Sequence, residues 1–453
     1  MEYKDFIQNK SDLAKSNGFH NIFMPDYLYD FQKVLTEWAI EKGRAAIFAD
    51  CGLGKTIIQL VWAQNIVQKT NKPVLILTPL AVSAQTIREG KKFGIECNKS
   101  MEGQVTGKIV VTNYERLHYF NRNDFIGIVG DESSRIKNFD SVGKKAITEF
   151  CKRIPYRLLC TATAAPNDYI ELGTSSEALG VMGYMDMLNR FFKNDQNSSS
   201  TKGLYGKQAK WRFKHHAEND FWKWVTSWSR MVRKPSDLGF NDKGFILPPM
   251  NIKETVVPTS RPLEGKLFVE PAISLREQQE ERRMTIKERC EVVTEKVNHN
   301  GQSLVWCHLN DEGDLLQELI KEGKQIKGSD SDEKKERTFL DFANGDLKTL
   351  ITKPKIAGFG LNFQNCSHMT FFPSHSWEQF YQGTRRCWRF GQKNQVNIDI
   401  VTTEGELEVI RNLTRKANQA DKMFEKMVMY MNDSMHIEQK ENHINNGEIP
   451  SWL

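Results

Sequence analysis

AAIFA (45–49), PVLILTP (73–79), KIVVTNYE (108–115) and FIGIVGDE (125–132) are short runs, rich in aliphatic and β-branched residues, that present no polar face. A strand apolar on both sides has to be covered on both sides, as in a parallel sheet flanked by helices. TIIQLVWAQNIV, which follows the first run, carries apolar residues at helical spacing. The pattern returns late in the chain with GQSLVWCHL (301–309), the amphipathic DEGDLLQELIKEG, LKTLITK (347–353) and MTFFPS (369–374). The expected fold class is therefore α/β, with two tandem doubly wound parallel-sheet domains.

Between these regions, 166–235 reads as a helical insertion, with NDQNSSST (194–201) as a loop inside it. Pro and Gly enrichment makes 236–274 a linker. Ile286, Cys290, Val293 and Val297 repeat at helical spacing in the charged stretch 275–297 and predict an amphipathic helix beside the second domain. The expected organisation is 1–165 and 275–403 for the two α/β domains, with 404–453 as a closing helical tail whose Leu, Ile and Met side chains face inward.

Composition narrows the function classes. With 453 residues and 39% hydrophobic content the chain can bury sizeable cores, and its net charge of +6 permits a polyanionic partner. The eight cysteines contain no C-x-x-C pair or finger-like ligand spacing, so neither structural zinc nor a disulfide framework is expected, and a reducing cytoplasm fits. No run of about 18 apolar residues is present, and the opening MEYKDFIQNK is unlike a signal peptide, so no membrane association is expected.

The candidate chemistry begins at FADCGLGKT (48–56). Gly54, Lys55 and Thr56 fill the end of the phosphate-loop pattern G-x-x-x-x-G-K-[ST], with Ala49 where the first glycine would stand. Taken alone the stretch also reads as a glycine-containing turn. Its setting, strand then loop then helix, favours the phosphate reading: backbone N–H groups at the helix start meet the charge, the Lys55 ammonium meets the terminal phosphates, and the Thr56 hydroxyl holds magnesium. Asp131 and Glu132 follow a strand at the same expected sheet edge. Asp131 can hold magnesium, and Glu132 can orient or deprotonate an attacking water.

A longer series then comes into register. LYDFQ with Gln32, ADCGLGKT, DESSRIKN (131–138), TATAAPN (161–167), VRKPSDLGFNDKGFILPPM, KGSDSDEKKERTFLDFANG, AGFGLNF (357–363) and QGTRRCWRFGQ (382–392) run in order from about residue 29 to residue 401. This series resembles superfamily II helicases of the Swi/Snf-like branch, and more closely the DEAD/DEAH-box-type helicases carried by phages and prophages. The resemblance implies two RecA-like domains, ATP and Mg2+ as cofactors, and a nucleic-acid-dependent ATPase. Gln32 would read adenine. Gly52, Leu53, Gly54, Lys55, Thr56 and Gly360 would line the nucleotide, and Arg386 and Arg389 would act as arginine fingers. Their spacing of three predicts that they share one face of a helix turn.

The sequence departs from the branch at Ser134 and Trp388, each standing where the family has His, and Lys355 is the basic residue available ahead of AGFGLNF. The family assigns both His positions to the relay between hydrolysis and movement, so ATP hydrolysis follows from the motifs more directly than translocation does. Cys51 and the adjacent His215 and His216 read as packing or surface residues.

The expected partner is DNA, duplex by preference and with little sequence selectivity. The resemblance places one strand near Thr78 and Pro79 and near Thr112, Asn113 and Tyr114, through contacts to phosphate. KQAKWRFKHHAENDFWKWVTSWSRMVRK (207–234) holds eight Lys and Arg against two acids. There Lys210, Arg212 and Lys214 are the candidate phosphate contacts, and Trp222, off the apolar stripe of Phe221, Trp224, Val225 and Trp228, is the candidate exposed stacking residue. Two other readings remain open at this stage: a strand-separating helicase on DNA or RNA, and a binding scaffold whose ATPase has decayed. Residues 404–453 leave little room for a further enzymatic module, so pathway specificity is expected from a protein partner.

Overall fold

The computed structural model describes residues 14–138, 141–165, 168–194, 211–214, 216–258, 275–357 and 362–445. They divide into two units, Met1–Thr78 with Thr86–Asp242 and Ala420–Leu453, and Pro79–Gln85 with Lys243–Gln419.

Unit 1 carries β1 (Arg44–Ala49), β2 (Val74–Thr78), β3 (Asn98–Lys99), β4 (Ile109–Asn113), β5 (Gly127–Asp131), β6 (Tyr156–Cys160), the hairpin strands β7 (Phe192–Asn194) and β8 (Trp211–Phe213), and β9 (Ser229–Val232). Seven of them form one sheet in the order β3-β4-β2-β5-β6-β1-β9, parallel at every pairing. Every residue of β2, β4 and β5 is buried, as their two apolar faces require. β7 and β8 pair antiparallel, apart from the main sheet.

β6 and β9 escape a reading by apolar runs because each contains a buried arginine. Arg157 in β6 donates to the carbonyls of Ile154, Lys152 and Ala178, so it satisfies backbone at the ends of the helices Ser141–Lys152 and Leu172–Leu179. Arg230 in β9 donates to the Thr226 carbonyl and lies 4.3 Å over the Trp38 ring. Of the expected loop 194–201, all but Asn194 lies outside the described residues.

Unit 2 carries β10 (Met250–Val257), β11 (Ser303–Trp306), β12 (Gly323–Gln325), β13 (Thr349–Thr352), β14 (His368–Phe371) and β15 (Val396–Thr403). They form a six-stranded sheet in the order β10-β15-β14-β11-β13-β12, again parallel throughout. The segment expected as linker thus contributes an edge strand. β10 is mostly exposed and polar on one side, which is why composition hides it.

The charged stretch 275–297 forms two helices, Leu275–Met284 and Ile286–Lys296. Cys290, Val293 and Val297 enter the core as their spacing predicts. Arg289 pairs with Glu312 at 2.8 Å with both side chains fully buried, and Glu312 also accepts from the backbone N–H groups of His308 and Leu309. That set of partners is what makes burying the pair tolerable.

The last helix runs from Leu407 to Asn445. From Ala420 onward it belongs to unit 1, where Met423, Phe424 and Met427 join the main core, Asp421 pairs with Arg233 at 2.6 Å and Tyr430 donates to Asn219. Among the described residues, no helix is long and apolar enough to cross a membrane.

Candidate nucleotide-binding site

The glycine loop sits between β1 and the helix Lys55–Thr70, at the carboxyl edge of the first sheet. Gly52 and Gly54 have φ of 92° and 79°, the left-handed region that favours glycine. A Cβ on Gly54 would lie 2.3 Å from Gln32 Nε2 and would displace that amide, in addition to the strain of the positive φ. The loop is fixed from both sides. Asp50 N–H donates to the Val232 carbonyl of β9, and the Asp50 carboxylate accepts from Cys51 N–H at 2.6 Å. Gln32 donates from Nε2 to the Leu53 carbonyl at 2.9 Å, while its Oε1 accepts from Tyr29 N–H at 3.0 Å. Gln32 therefore links the loop, through its Nε2, to the start of its own helix Asp30–Lys42, through its Oε1.

The helix that follows has no side-chain cap and no acid in its first turn. Its leading N–H groups lack intrahelical acceptors, which favours an anion there. Lys55, half-buried, donates from Nζ to the Ala49 carbonyl at 2.9 Å. Burial works against its charge, yet Cys51, Glu132, Asp131 and Asp50 together hold its pKa above the ordinary lysine value. Thr56 is the second residue of the helix and is also half-buried.

Asp131 ends β5 and Glu132 follows at φ 49°, one of two non-glycine residues in the left-handed region among those described. Strain of that kind costs on the order of 1 kcal/mol or more and gathers at functional sites. Both acids are buried, at 5% and 4% exposure. Burial, and next the Glu132 charge, raise the Asp131 pKa, while the Gln59 hydrogen bond and Lys55 oppose the rise. Gln59 donates from Nε2 to Asp131 Oδ1 at 2.7 Å, and Thr161 donates from Oγ1 to Glu132 Oε2 at 3.4 Å.

These residues fit magnesium and a nucleotide. Two adjacent buried carboxylates face one ammonium, a local deficit of positive charge that a hard divalent cation with oxygen ligands would make good. Thr56 and Asp131 would hold it, and the narrow cradle at Gly54 with the open helix start would hold phosphate.

Gln59 is a residue that motif reading misses. The signal for it was the one polar side chain in the buried run IIQLVWA, three positions after Thr56.

The remaining candidates are distributed unevenly. Thr78, Thr112, Asn113 and Tyr114, at the ends of β2 and β4, are all buried, and Pro79 beside Thr78 is buried too. Thr78 Oγ1 donates to the Thr112 carbonyl at 3.4 Å, and Tyr114 OH donates to the Asp131 carbonyl at 2.8 Å. The Thr78 and Tyr114 side chains thus tie neighbouring strand ends together. Arg212 and Lys214 are exposed on and beside the hairpin, with Lys193 opposite Arg212 in register. Lys210 lies outside the described residues, as do Gly360 and His215.

Trp222 corrects the expectation of an exposed stacking residue: it is 0% exposed. Tyr169 at 5.3 Å, Phe221 and Phe213 enclose its ring, and the Phe213 contact comes from the hairpin. That hairpin covers a flank of the helix Ala217–Trp228 which the apolar stripe alone leaves open.

A second correction concerns Arg386 and Arg389, both in unit 2. The helix Trp377–Thr384 ends before them, and the two arginines occupy successive turns rather than one helix face. Gly391, just beyond them, takes φ 91°, in the left-handed region that favours glycine. Arg386 is 2% exposed, donates from Nε to the Gln382 carbonyl at 3.0 Å and accepts at its own carbonyl from Phe363 N–H. Gln392 Nε2 bonds the Cys387 and Cys366 carbonyls and closes the same turn. Ser134 is buried, and Lys355 is exposed at the end of the short helix Pro354–Ala357.

Comparison with known proteins agrees with this architecture. Residues 284–391 match the helicase conserved C-terminal domain. A protein named p41 from Acyrthosiphon pisum secondary endosymbiont phage 1 is 23% identical, over 86% of this chain and 96% of its own length. Among solved structures, S. cerevisiae Dbp5 bound to RNA and ADP BeF3 superposes with a TM-score of 0.52 at 12% identity, covering 89% of this chain and 98% of that one. The Sulfolobus solfataricus SWI2/SNF2 ATPase core in complex with dsDNA gives a TM-score of 0.41 at 18% identity, over 90% and 95%. Residues 284–391 thus match a helicase C-terminal domain, in a chain whose two parallel-sheet α/β units share the fold of that Dbp5 structure.

Proposed function

We propose that this chain is a nucleic-acid-dependent ATPase, a motor of the helicase and translocase type that moves on duplex DNA. One observation carries the reading: Lys55, at the helix start that follows the glycine loop, converges with Asp131 and Glu132, at the end of β5, on the carboxyl edge of one parallel sheet. A bound magnesium nucleotide supplies the bond to be cleaved and a cation that neutralises phosphate charge. Lys55 exchanges the Ala49 carbonyl for the terminal phosphates, and Thr56 and Asp131 hold the cation. Glu132, steadied by Thr161, orients the attacking water and accepts its proton. Arg386 and Arg389 are the proposed sources of cationic charge for the phosphoryl group, a role that the family resemblance implies.

The exposed Lys193, Arg212 and Lys214 of the hairpin region, with Lys210, are the proposed phosphate contacts for DNA. A strand-separating helicase is the second reading, and the resemblance to an RNA-bound Dbp5 favours including RNA in its test. A decayed scaffold is disfavoured by the intact Lys55, Asp131 and Glu132. The deciding experiment measures ATP turnover with duplex DNA, single-stranded DNA, RNA and no nucleic acid, then compares triplex displacement with fork unwinding. Duplex-stimulated turnover with triplex displacement and no unwinding supports the translocase. Turnover indifferent to every nucleic acid contradicts it.

A further inference from the structure

Trp388, at a position where the resembled family pattern has His, is not idle in this fold. Its indole Nε1 donates to the Pro248 carbonyl at 2.7 Å, and the Arg385 guanidinium lies 4.3 Å over its ring. Arg385 also sits 5.2 Å over Tyr381, which stacks on Trp377 at 4.7 Å. A continuous column therefore runs from the start of the helix Trp377–Thr384, through Arg385, to Trp388. Two residues farther on, Phe390 packs against Phe245 at 5.0 Å. The turn that carries Arg386 and Arg389 is thereby fastened twice, at Pro248 and at Phe245, to the segment through which the chain enters unit 2 and becomes β10. Val396 N–H, donating to the Pro249 carbonyl, fixes the same segment to β15.

We infer that Trp388 is a positioning residue: its indole N–H and its cover over Arg385 lock the Arg386–Arg389 turn to the entering chain at 245–250, so that the two move as one body. An imidazole is smaller than an indole and would not hold both contacts in this geometry. A shift of the entering chain then reorients both arginines, which couples chain movement to the supply of cationic charge. The kinetic consequence rests on the ATPase reading above; the mechanical one does not.

The test uses the full chain with Trp388→Phe, which keeps an aromatic ring and removes the N–H, and with Trp388→Ala. Amide hydrogen exchange should rise together in 386–391 and 245–250, by about tenfold in Trp388→Ala and less in Trp388→Phe, with β11 amides unchanged. A rise in only one of the two segments, in neither, or in β11 as well overturns the inference. ATP turnover is the second arm. In Trp388→Ala, kcat should fall about tenfold with KM within about twofold, and adding the change to Arg389→Ala should cost nothing further, as expected of a residue acting through another. Fully additive losses overturn the inference. A wild-type chain that turns over no ATP overturns the proposed function, while the exchange result still decides the role of Trp388.

Discussion

Gln59 donates its amide Nε2 hydrogen to Asp131 Oδ1 at 2.7 Å, which joins the helix after the glycine loop to the acid at the end of β5. The orientation of that carboxylate is therefore set by a side chain 72 positions away in sequence. Replacing Gln59 by Leu keeps the volume and removes the donor. The magnesium concentration needed for half-maximal turnover should rise about tenfold, in keeping with the loss of an outer-sphere partner. Titration of magnesium at saturating ATP checks this, and an unchanged midpoint would show that Asp131 is oriented by other contacts.

Tyr114, the residue after β4, donates its hydroxyl to the Asp131 carbonyl at 2.8 Å, with its side chain 3% exposed. Tyr114→Phe should cost about 1 kcal/mol of stability, the usual net worth of such a bond. Affinity for DNA should stay within about twofold, because a buried hydroxyl already bonded to backbone cannot reach a phosphate without local opening. A large loss of affinity at unchanged melting temperature would instead support Tyr114 as a direct contact.

How much of this was legible in the residues depends on where the information resides. The strands β2, β4 and β5 announce themselves because they are buried on both faces, and the loop at Gly52, Gly54 and Lys55 because its chemistry needs those residue types in that order. β6 and β9 do not, since Arg157 and Arg230 look like surface residues until their carbonyl partners are known. Trp222 misleads for a related reason. Helical periodicity describes one packing face, and the aromatic hairpin that covers the other arrives from elsewhere in the chain. Gln59 and Trp388 act through long-range contacts, at Asp131 and Pro248, that no local pattern encodes.

The C-terminal helix completes the core of unit 1, with Met427 and Met431 fully buried and Met423 and Phe424 nearly so. Met427→Ala should destabilise the protein by about 2–5 kcal/mol, the range for truncating a large core side chain. A chain ending at Gln419 should lose far more. Chemical denaturation followed by tryptophan fluorescence of Trp224 and Trp228 reports on the affected region, and an unchanged midpoint would mean that the helix is dispensable to unit 1.

In unit 2, burial lowers the pKa of His308 from 6.5 to about 4, with Arg282 and Lys353 working in the same direction and Glu312 against it. The folded state thus binds this proton less well than the unfolded chain does. Stability from the neutral ring is fully present above pH 6.5 and is lost as the pH falls from there toward about 4. His308→Gln should flatten the dependence of stability on pH across that window. Denaturation midpoints at pH 7, 6 and 5 test the sign, and a wild-type protein that gains stability on acidification in this range would reverse it.

The most direct measurement compares wild type with Glu132→Gln for ATP binding and ATP turnover in the presence of duplex DNA. Both proteins should bind ATP, and the substitution should slow turnover at least about a hundredfold, as expected for loss of a general base. Turnover in Glu132→Gln within a factor of about two of wild type would contradict the assignment of this acid to the attacking water, and with it the central claim.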